Sequence, residues 1–101
     1  MQLSIGSVAS LQDGDVERRI ASDGRAVAVY RVRGVIYATD DKCSHGAASL
    51  SDGFIEGDLI ECPAHGGQFH IPTGLPRCFP VVEAVRAYLV EVRDGVAYIE
   101  V

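Results

Sequence analysis

Two short clusters of cysteine and histidine constrain this chain more than any other feature. Residues 43–46 read Cys-Ser-His-Gly, and residues 62–69 read Cys-Pro-Ala-His-Gly-Gly-Gln-Phe. Sixteen residues separate His45 from Cys62. Two thiolates and two imidazoles form a ligand set that binds either zinc or an iron–sulfur cluster. The clusters therefore predict a metal site, and the identity of the metal decides the function.

The order of the ligands favours an iron–sulfur cluster. Each half offers one cysteine followed by one histidine, so each loop can reach both irons of a [2Fe–2S] centre that has cysteines on one iron and histidines on the other. Gly46, Gly66 and Gly67 follow the histidines, and glycine lets a backbone turn tightly close to a ligand. A zinc site uses the same residue types, but its usual spacing pairs the two cysteines and then the two histidines. A zinc site and a Cys–His nucleophilic pair remain alternatives at this point.

The pattern C-x-H-G followed by C-P-x-H-x-G-x-F resembles the Rieske [2Fe–2S] family. Residues 50–57, between the two halves, are similar to the soluble Rieske ferredoxins of bacterial aromatic-ring-hydroxylating dioxygenase systems. The resemblance implies that Cys43 and Cys62 bind one iron and that His45 and His65 bind the other. It also implies that the two histidines face solvent and form the port for electrons.

Two further metal-type residues lie outside both motifs. Cys78 is interpreted as a small apolar filler or a thiol without a ligand role. His70 has no cysteine at the motif spacing and is predicted not to be a ligand.

The resemblance implies a one-electron carrier that is not itself an enzyme. Such a ferredoxin takes electrons from a flavin-dependent, NAD(P)H-oxidising ferredoxin reductase. It passes them to a terminal Rieske non-haem iron oxygenase in the degradation of aromatic compounds. Its cofactor is one Rieske-type [2Fe–2S] cluster. Two alternatives are a Rieske-like small subunit of a nitrite reductase and a structural zinc-binding interaction module.

The loop residues predict a cluster of low reduction potential, about −150 mV, at the lower end of the Rieske range. High-potential Rieske proteins carry an extra cysteine in each loop and a serine after the second His-Gly. By resemblance, those positions are held here by Ala48 or a neighbour, by Ala64 and by Gly67. Fewer hydrogen-bond donors to the sulfurs leave the reduced state less stabilised.

The segments outside the clusters predict an all-β fold, a small antiparallel sandwich or barrel with a loop-rich cluster-binding subdomain. Apolar and β-branched stretches at 26–32 and 35–39 flank Arg33-Gly34, and stretches at 87–92 and 96–101 flank the turn at 93–95. Both pairs are typical of β-hairpins. The 101 residues are predicted to form one domain, with a basal scaffold at about 1–39 and 80–101 and the subdomain at about 40–79.

Charge and composition indicate the compartment and the kind of partner. Residues 40–61 contain six acidic residues and one lysine, so the whole formal charge of −5 lies in this segment. These acids are interpreted either as a solvated loop that confers solubility or as an acidic face that steers the protein onto basic partner surfaces. In both cases the segment lacks the basic residues that phosphate binding needs, which argues against nucleic acid as a partner. No apolar run long enough to span a membrane and no signal-peptide pattern occurs, and three cysteines do not suggest a disulfide framework. A cytoplasmic monomer is therefore expected.

Overall fold

The structure is a computed structural model that describes residues 1–44, 46–64, 66–78 and 83–101, with Cys78 described by its backbone alone. Within these ranges the regular structure consists of β-strands and one short 3₁₀ helix, and no α-helix occurs. The elements are β1 (Gln2–Ser7), β2 (Val16–Ile20), β3 (Ala26–Val32), β4 (Val35–Asp40), the 3₁₀ helix (Leu50–Asp52), β5 (Phe54–Glu56), β6 (Leu59–Glu61), β7 (Gln68–His70), β8 (Pro76–Cys78), β9 (Ala87–Tyr88), β10 (Val90–Arg93) and β11 (Val96–Glu100). The predicted all-β class is confirmed.

The strands form three antiparallel sheets. The first sheet has the order β1-β11-β10, the second β2-β3-β4-β9, and the third β5-β6-β7-β8. One apolar core joins the first two sheets and includes Leu3, Val27 and Ile99, each of which is almost fully buried. A second core lies between β3 and the third sheet and includes Tyr30, Ile60 and Phe69, all with no exposed surface. Strand β3 faces both cores because alternate residues point to opposite faces of a sheet.

Both predicted hairpins form, with the turn at Arg33-Gly34 as predicted and the turn predicted at 93–95 shorter by one residue because Arg93 is the last residue of β10. Val32 pairs with Val35, so the turn consists of two residues, Arg33 and Gly34, with φ angles of 50° and 80°. The β10–β11 turn, Asp94-Gly95, has φ angles of 51° and 77°. Two consecutive positive φ angles define the turn type whose twist matches that of paired strands.

The stretch 87–92, predicted as one strand, is divided at Leu89. Tyr88 pairs with Ala38 in the second sheet, whereas Val90 pairs with Ile99 in the first. Leu89 stands between them with 79% of its surface exposed. The chain changes sheets at this residue, and the sequence cannot reveal the change because the residues on both sides keep a strand-like pattern with no turn residue between them.

A side-chain contact at the sheet edge joins the first sheet to the second. Nη1 of Arg19, on β2, donates hydrogen bonds to the carbonyl oxygens of Ile5 at 3.0 Å and Ser7 at 2.8 Å, on β1. Strand β1 is the outer strand of its sheet, so these carbonyls have no further strand to bond. Arg19 therefore holds two sheet edges together.

Candidate metal centre

The first cysteine lies at the start of a loop that closes like a hairpin. Lys42 and Ser49 form an antiparallel bridge, and the six residues between them make up the first loop (residues 43–48). The N–H of Cys43 donates to the carbonyl of Ala48 at 2.9 Å, and the carbonyl of Cys43 accepts from the N–H of Gly46 at 3.4 Å. The loop is thus held by its own backbone.

The second cysteine occupies the same place in an equivalent loop. Glu61 pairs with Gln68, and the six residues between them make up the second loop (residues 62–67). The N–H of Cys62 donates to the carbonyl of Gly67 at 2.7 Å, and the carbonyl of Cys62 accepts from Gly66 at 3.1 Å. Gly66 has a φ of 74°, a left-handed conformation that favours glycine. Each loop therefore begins with a cysteine whose N–H bonds to the carbonyl five residues ahead.

Both cysteines point into the second core. Cys43 is 1% exposed and Cys62 is 2% exposed, and they belong to the same apolar cluster as Leu50, Ile60 and Phe69. Two sheltered soft donors on two matched loops fit the thiolate half of an iron–sulfur site, since low solvent exposure is one of the features that tune such clusters.

The structure leaves part of the predicted ligand set to be tested. His45 and His65 lie outside the described residues, so only the two cysteines of the predicted set are located. The assignment of all four ligands stays a prediction.

His70 is engaged by other protein groups. Its Nε2 lies 3.0 Å from Oδ2 of Asp58, and its Nδ1 lies 2.8 Å from Oγ1 of Thr73. Both ring nitrogens are thus used within the third sheet and its turn, which supports the prediction that His70 is not a ligand. The side chain of Cys78 lies outside the described part of the chain.

Asp41 supports the first loop in a way that sequence reasoning missed. Its carboxylate is buried, accepts from the N–H of Ser51 at 3.0 Å, and lies 3.5 Å from Nε of Arg18. Its backbone carbonyl accepts from the N–H of Leu50 at 2.7 Å. Asp41 therefore anchors the 3₁₀ helix just beyond the first loop. By sequence alone, Asp41 counts among the acids of an acidic face.

A hydrogen-bonded chain includes Tyr30, which belongs to the same core as the two cysteines. Oγ1 of Thr39 donates to the carbonyl of Asp40 at 2.9 Å, so the hydroxyl of Tyr30, 2.8 Å from the same Oγ1, is the donor of that contact. Burial, followed by the nearby charge of Asp41, raises the pKa of Tyr30 far above its usual value of 10.0. The phenol therefore stays protonated and keeps its place in the core.

The acidic residues of segment 40–61 differ in their exposure and in their contacts. Asp41 is buried, Asp40 accepts a hydrogen bond from Tyr88, and Asp58 contacts His70. Burial and the Asp40 carboxylate raise the pKa of Tyr88. Asp52 and Glu56 are exposed, and these two acids therefore contribute most to an acidic face.

The described ranges contain no helix with the length and apolar character needed to cross a bilayer.

Comparison with known proteins confirms the resemblance. Residues 2–89 match the Rieske [2Fe-2S] domain. The chain is 46% identical over 82 residues to the ferredoxin component of the naphthalene 1,2-dioxygenase system of Pseudomonas aeruginosa, with 81% of this chain and 78% of that protein covered.

Solved structures agree with this result. A ferredoxin of Sphingomonas yanoikuyae B1 superposes with a TM-score of 0.92 at 40% identity, covering 99% of this chain and 98% of that one. A chain in a complex of reduced oxygenase and oxidised ferredoxin in carbazole 1,9a-dioxygenase superposes with a TM-score of 0.89 at 41% identity, covering 97% of this chain and 91% of that one. The putative NADH-dependent nitrite reductase small subunit of Mycobacterium tuberculosis has a TM-score of 0.84 but only 20% identity, a likeness of fold alone.

Proposed function

This chain belongs to the Rieske [2Fe-2S] domain family, whose cluster is its cofactor, and from that premise we propose that it is the ferredoxin of an aromatic-ring dioxygenase system. It accepts one electron from a flavin-dependent, NAD(P)H-oxidising reductase and delivers it to a terminal Rieske oxygenase. The observation that carries the proposal is the pair of equivalent loops, each of which buries one cysteine in the same core. The bound cluster supplies reversible one-electron chemistry.

The ligand set we propose is Cys43 and Cys62 on one iron and His45 and His65 on the other. The hairpin pairing places each cysteine at the inner start of its loop, and the histidine follows within the same six residues. Exposed apolar residues flank the histidines in sequence: Ala47 in the first loop, and Pro63 and Ala64 in the second. Exposed apolar residues on both loops suit transient contact with a redox partner.

The proposal includes a single domain that works as a monomer, since a carrier must expose the same tip to two partners in turn. It also includes a cytoplasmic location, because an odd number of cysteines does not suggest a disulfide framework. The cluster-binding subdomain spans about residues 40–79 and the basal scaffold the remainder. That division falls on residues 79–82, which lie outside the described ranges. The third sheet, at residues 54–78, supports a separate subdomain because all four of its strands are consecutive in sequence.

The proposal is tested by an electron paramagnetic resonance spectrum of the dithionite-reduced protein, with iron and acid-labile sulfide measured on the same sample. We expect a rhombic signal with an average g value below 2 and two irons per chain. The reduced protein is then offered to an aromatic-ring dioxygenase oxygenase and, separately, to a nitrite reductase large subunit. Product formation with the nitrite reductase alone would contradict the proposal, as would a colourless protein that holds one zinc.

A further inference from the structure

Phe54 lies in the last row of strand residues before the second loop. It pairs with Glu61 of β6, and Glu61 in turn pairs with Gln68 of β7. Glu61 directly precedes Cys62, and Gln68 directly follows the loop. Directly opposed residues in antiparallel strands have Cβ atoms about 5 Å apart. The Phe54 side chain is therefore close to the loop that bears the second cysteine.

The ring faces solvent rather than the core. In the adjacent row, Ile55, Ile60 and Phe69 all belong to or pack against the second core. Alternation then places Phe54 on the opposite face of the third sheet, where 64% of its surface is exposed. Strand β5 is also the outer strand of that sheet, so no further strand of the sheet covers the ring.

Three acidic residues lie close to Phe54 in the sequence or across the strand pair. Asp52 and Glu56 are exposed and lie two residues before and after Phe54, and neither has an ion-pair partner among the described residues. Glu61 is opposite Phe54, and the side-chain hydrogen bond that its carboxylate makes among the described residues is with a neutral amide, the Nε2 of Gln68 at 3.4 Å. An exposed aromatic ring within a rim of uncompensated negative charge matches an apolar pocket with a basic rim.

We propose that Phe54, with Asp52, Glu56 and Glu61, forms a docking surface for the terminal oxygenase, which presents an apolar pocket rimmed by arginine or lysine. We refer to these four residues as the Phe54 surface. This inference rests on the proposed function. The ring supplies the apolar anchor beside the second loop, and the three carboxylates orient the approach.

A single exposed apolar residue is common on protein surfaces, so a matched control is needed. Leu89 provides it. Leu89 is 79% exposed, more than Phe54, and it lies where the chain passes from the second sheet to the first, outside the third sheet that carries the Phe54 surface. If the loss of any exposed apolar side chain weakened docking, substitution of Leu89 and of Phe54 would have the same effect.

The experiment measures steady-state electron transfer to an aromatic-ring dioxygenase oxygenase that the wild-type protein reduces. Phe54→Ala is expected to raise the KM for the ferredoxin about tenfold, as loss of an interface anchor does, with kcat changed less than about twofold. Phe54→Tyr should stay near wild type, and Leu89→Ala should have no effect. The reduction potential and the paramagnetic spectrum should be the same in all variants, which excludes a disturbed cluster.

Three outcomes would overturn the inference. A Phe54→Ala protein with an unchanged KM would leave the ring without a docking role. An equal rise for Leu89→Ala would show a non-specific effect. If Phe54→Ala raised only the KM of the reductase for the ferredoxin, the surface would dock the reductase and not the oxygenase. If the wild-type protein reduces no such oxygenase, the proposed function fails as well, so the two failures are distinguishable.

Discussion

Gly53 faces the backbone of Glu61 so closely that a Cβ atom at position 53 would lie 2.1 Å from the Glu61 carbonyl oxygen. Gly53 has an ordinary φ of −89°, so the close approach, and not an unusual backbone angle, requires glycine here. Glu61 is the residue before Cys62. The contact therefore links the end of the 3₁₀ helix to the start of the second loop.

Gly53→Ala should consequently disturb the second loop. We expect a loss of about 2 kcal/mol or more in the free energy of unfolding, because the clash is with backbone that cannot rotate away. Iron content should fall at the same time. Gly34→Ala is the control: position 34 has a φ of 80° but open space around it, and should cost about 1 kcal/mol with full iron content. Normal iron content in Gly53→Ala would contradict the expected link to the loop.

The ligand assignment predicts the effect of removing imidazoles. His45→Ala and His65→Ala should each abolish the Rieske-type paramagnetic signal, because half of one iron's protein ligands are removed. His70→Ala should keep the signal, since both ring nitrogens of His70 already contact Asp58 and Thr73. A retained signal in either of the first two variants would remove that histidine from the ligand set.

Arg19 should contribute to stability well beyond an ordinary surface arginine. Arg19→Ala leaves the carbonyls of Ile5 and Ser7 without their donor, and we expect a loss of about 1–3 kcal/mol by chemical denaturation. Glu17→Gln is the control, since it weakens only the exposed pair between Glu17 and Arg19 and should change stability by less than about 1 kcal/mol. Equal losses in the two variants would assign the effect to the ion pair.

Asp13 should contribute to the loss of folding stability at acidic pH. The N–H of Gly34 donates to Oδ1 of Asp13 at 2.8 Å, and this bond, together with Arg31, holds the pKa of Asp13 below its ordinary value of 3.8. A carboxylate whose pKa is lower in the folded state stabilises the fold above the unfolded value, and the stabilisation disappears as the pH falls through the folded value. The difference in melting temperature between wild type and Asp13→Asn should thus be present at pH 6 and shrink below pH 3.8. A constant difference across that range would exclude the linkage.

Electron transfer to the oxygenase should slow with added salt. Exposed charges steer association at low ionic strength and are screened as it rises, which for a strongly steered pair changes the rate about tenfold. The double variant Asp52→Asn with Glu56→Gln should be slower at low salt and less sensitive to salt. Glu100→Gln, on β11 of the first sheet, is the control and should retain the wild-type salt dependence. A flat wild-type response would assign the acidic residues to solubility.

Local patterns predicted the parts of this fold that depend on local chemistry. The turns predicted at Arg33-Gly34 and at 93–95 located two hairpins because glycine readily accepts a positive φ angle. The cysteine-histidine motifs predicted the family because ligand type and spacing are themselves the chemistry.

Features that depend on contacts between distant segments were not predictable. The sequence does not show that Asp41 is buried and Glu56 exposed, because both are acidic residues of the same segment. Asp41 differs in its contacts, since its carboxylate accepts a hydrogen bond from Ser51 and lies beside Arg18. The change of sheet at Leu89 and the bridging role of Arg19 likewise arise from partners far away in the chain. Such long-range pairing leaves no periodic signal.

The closed form of the two loops has a consequence for the assembly of the holoprotein. Each loop is closed at its base by a backbone hydrogen bond of its own, from Cys43 to Ala48 and from Cys62 to Gly67, so part of the conformational entropy of the described loop residues is lost without any bond to iron. Coordination through Cys43 and Cys62 then joins the starts of the two loops, which are nineteen positions apart, and acts as a cross-link that contributes about 3 kcal/mol by analogy with a disulfide-closed loop of that length. The iron-free chain should therefore keep the closed base of each loop and lose chiefly the alignment of the two cysteines, which makes insertion of the cluster a late step in maturation.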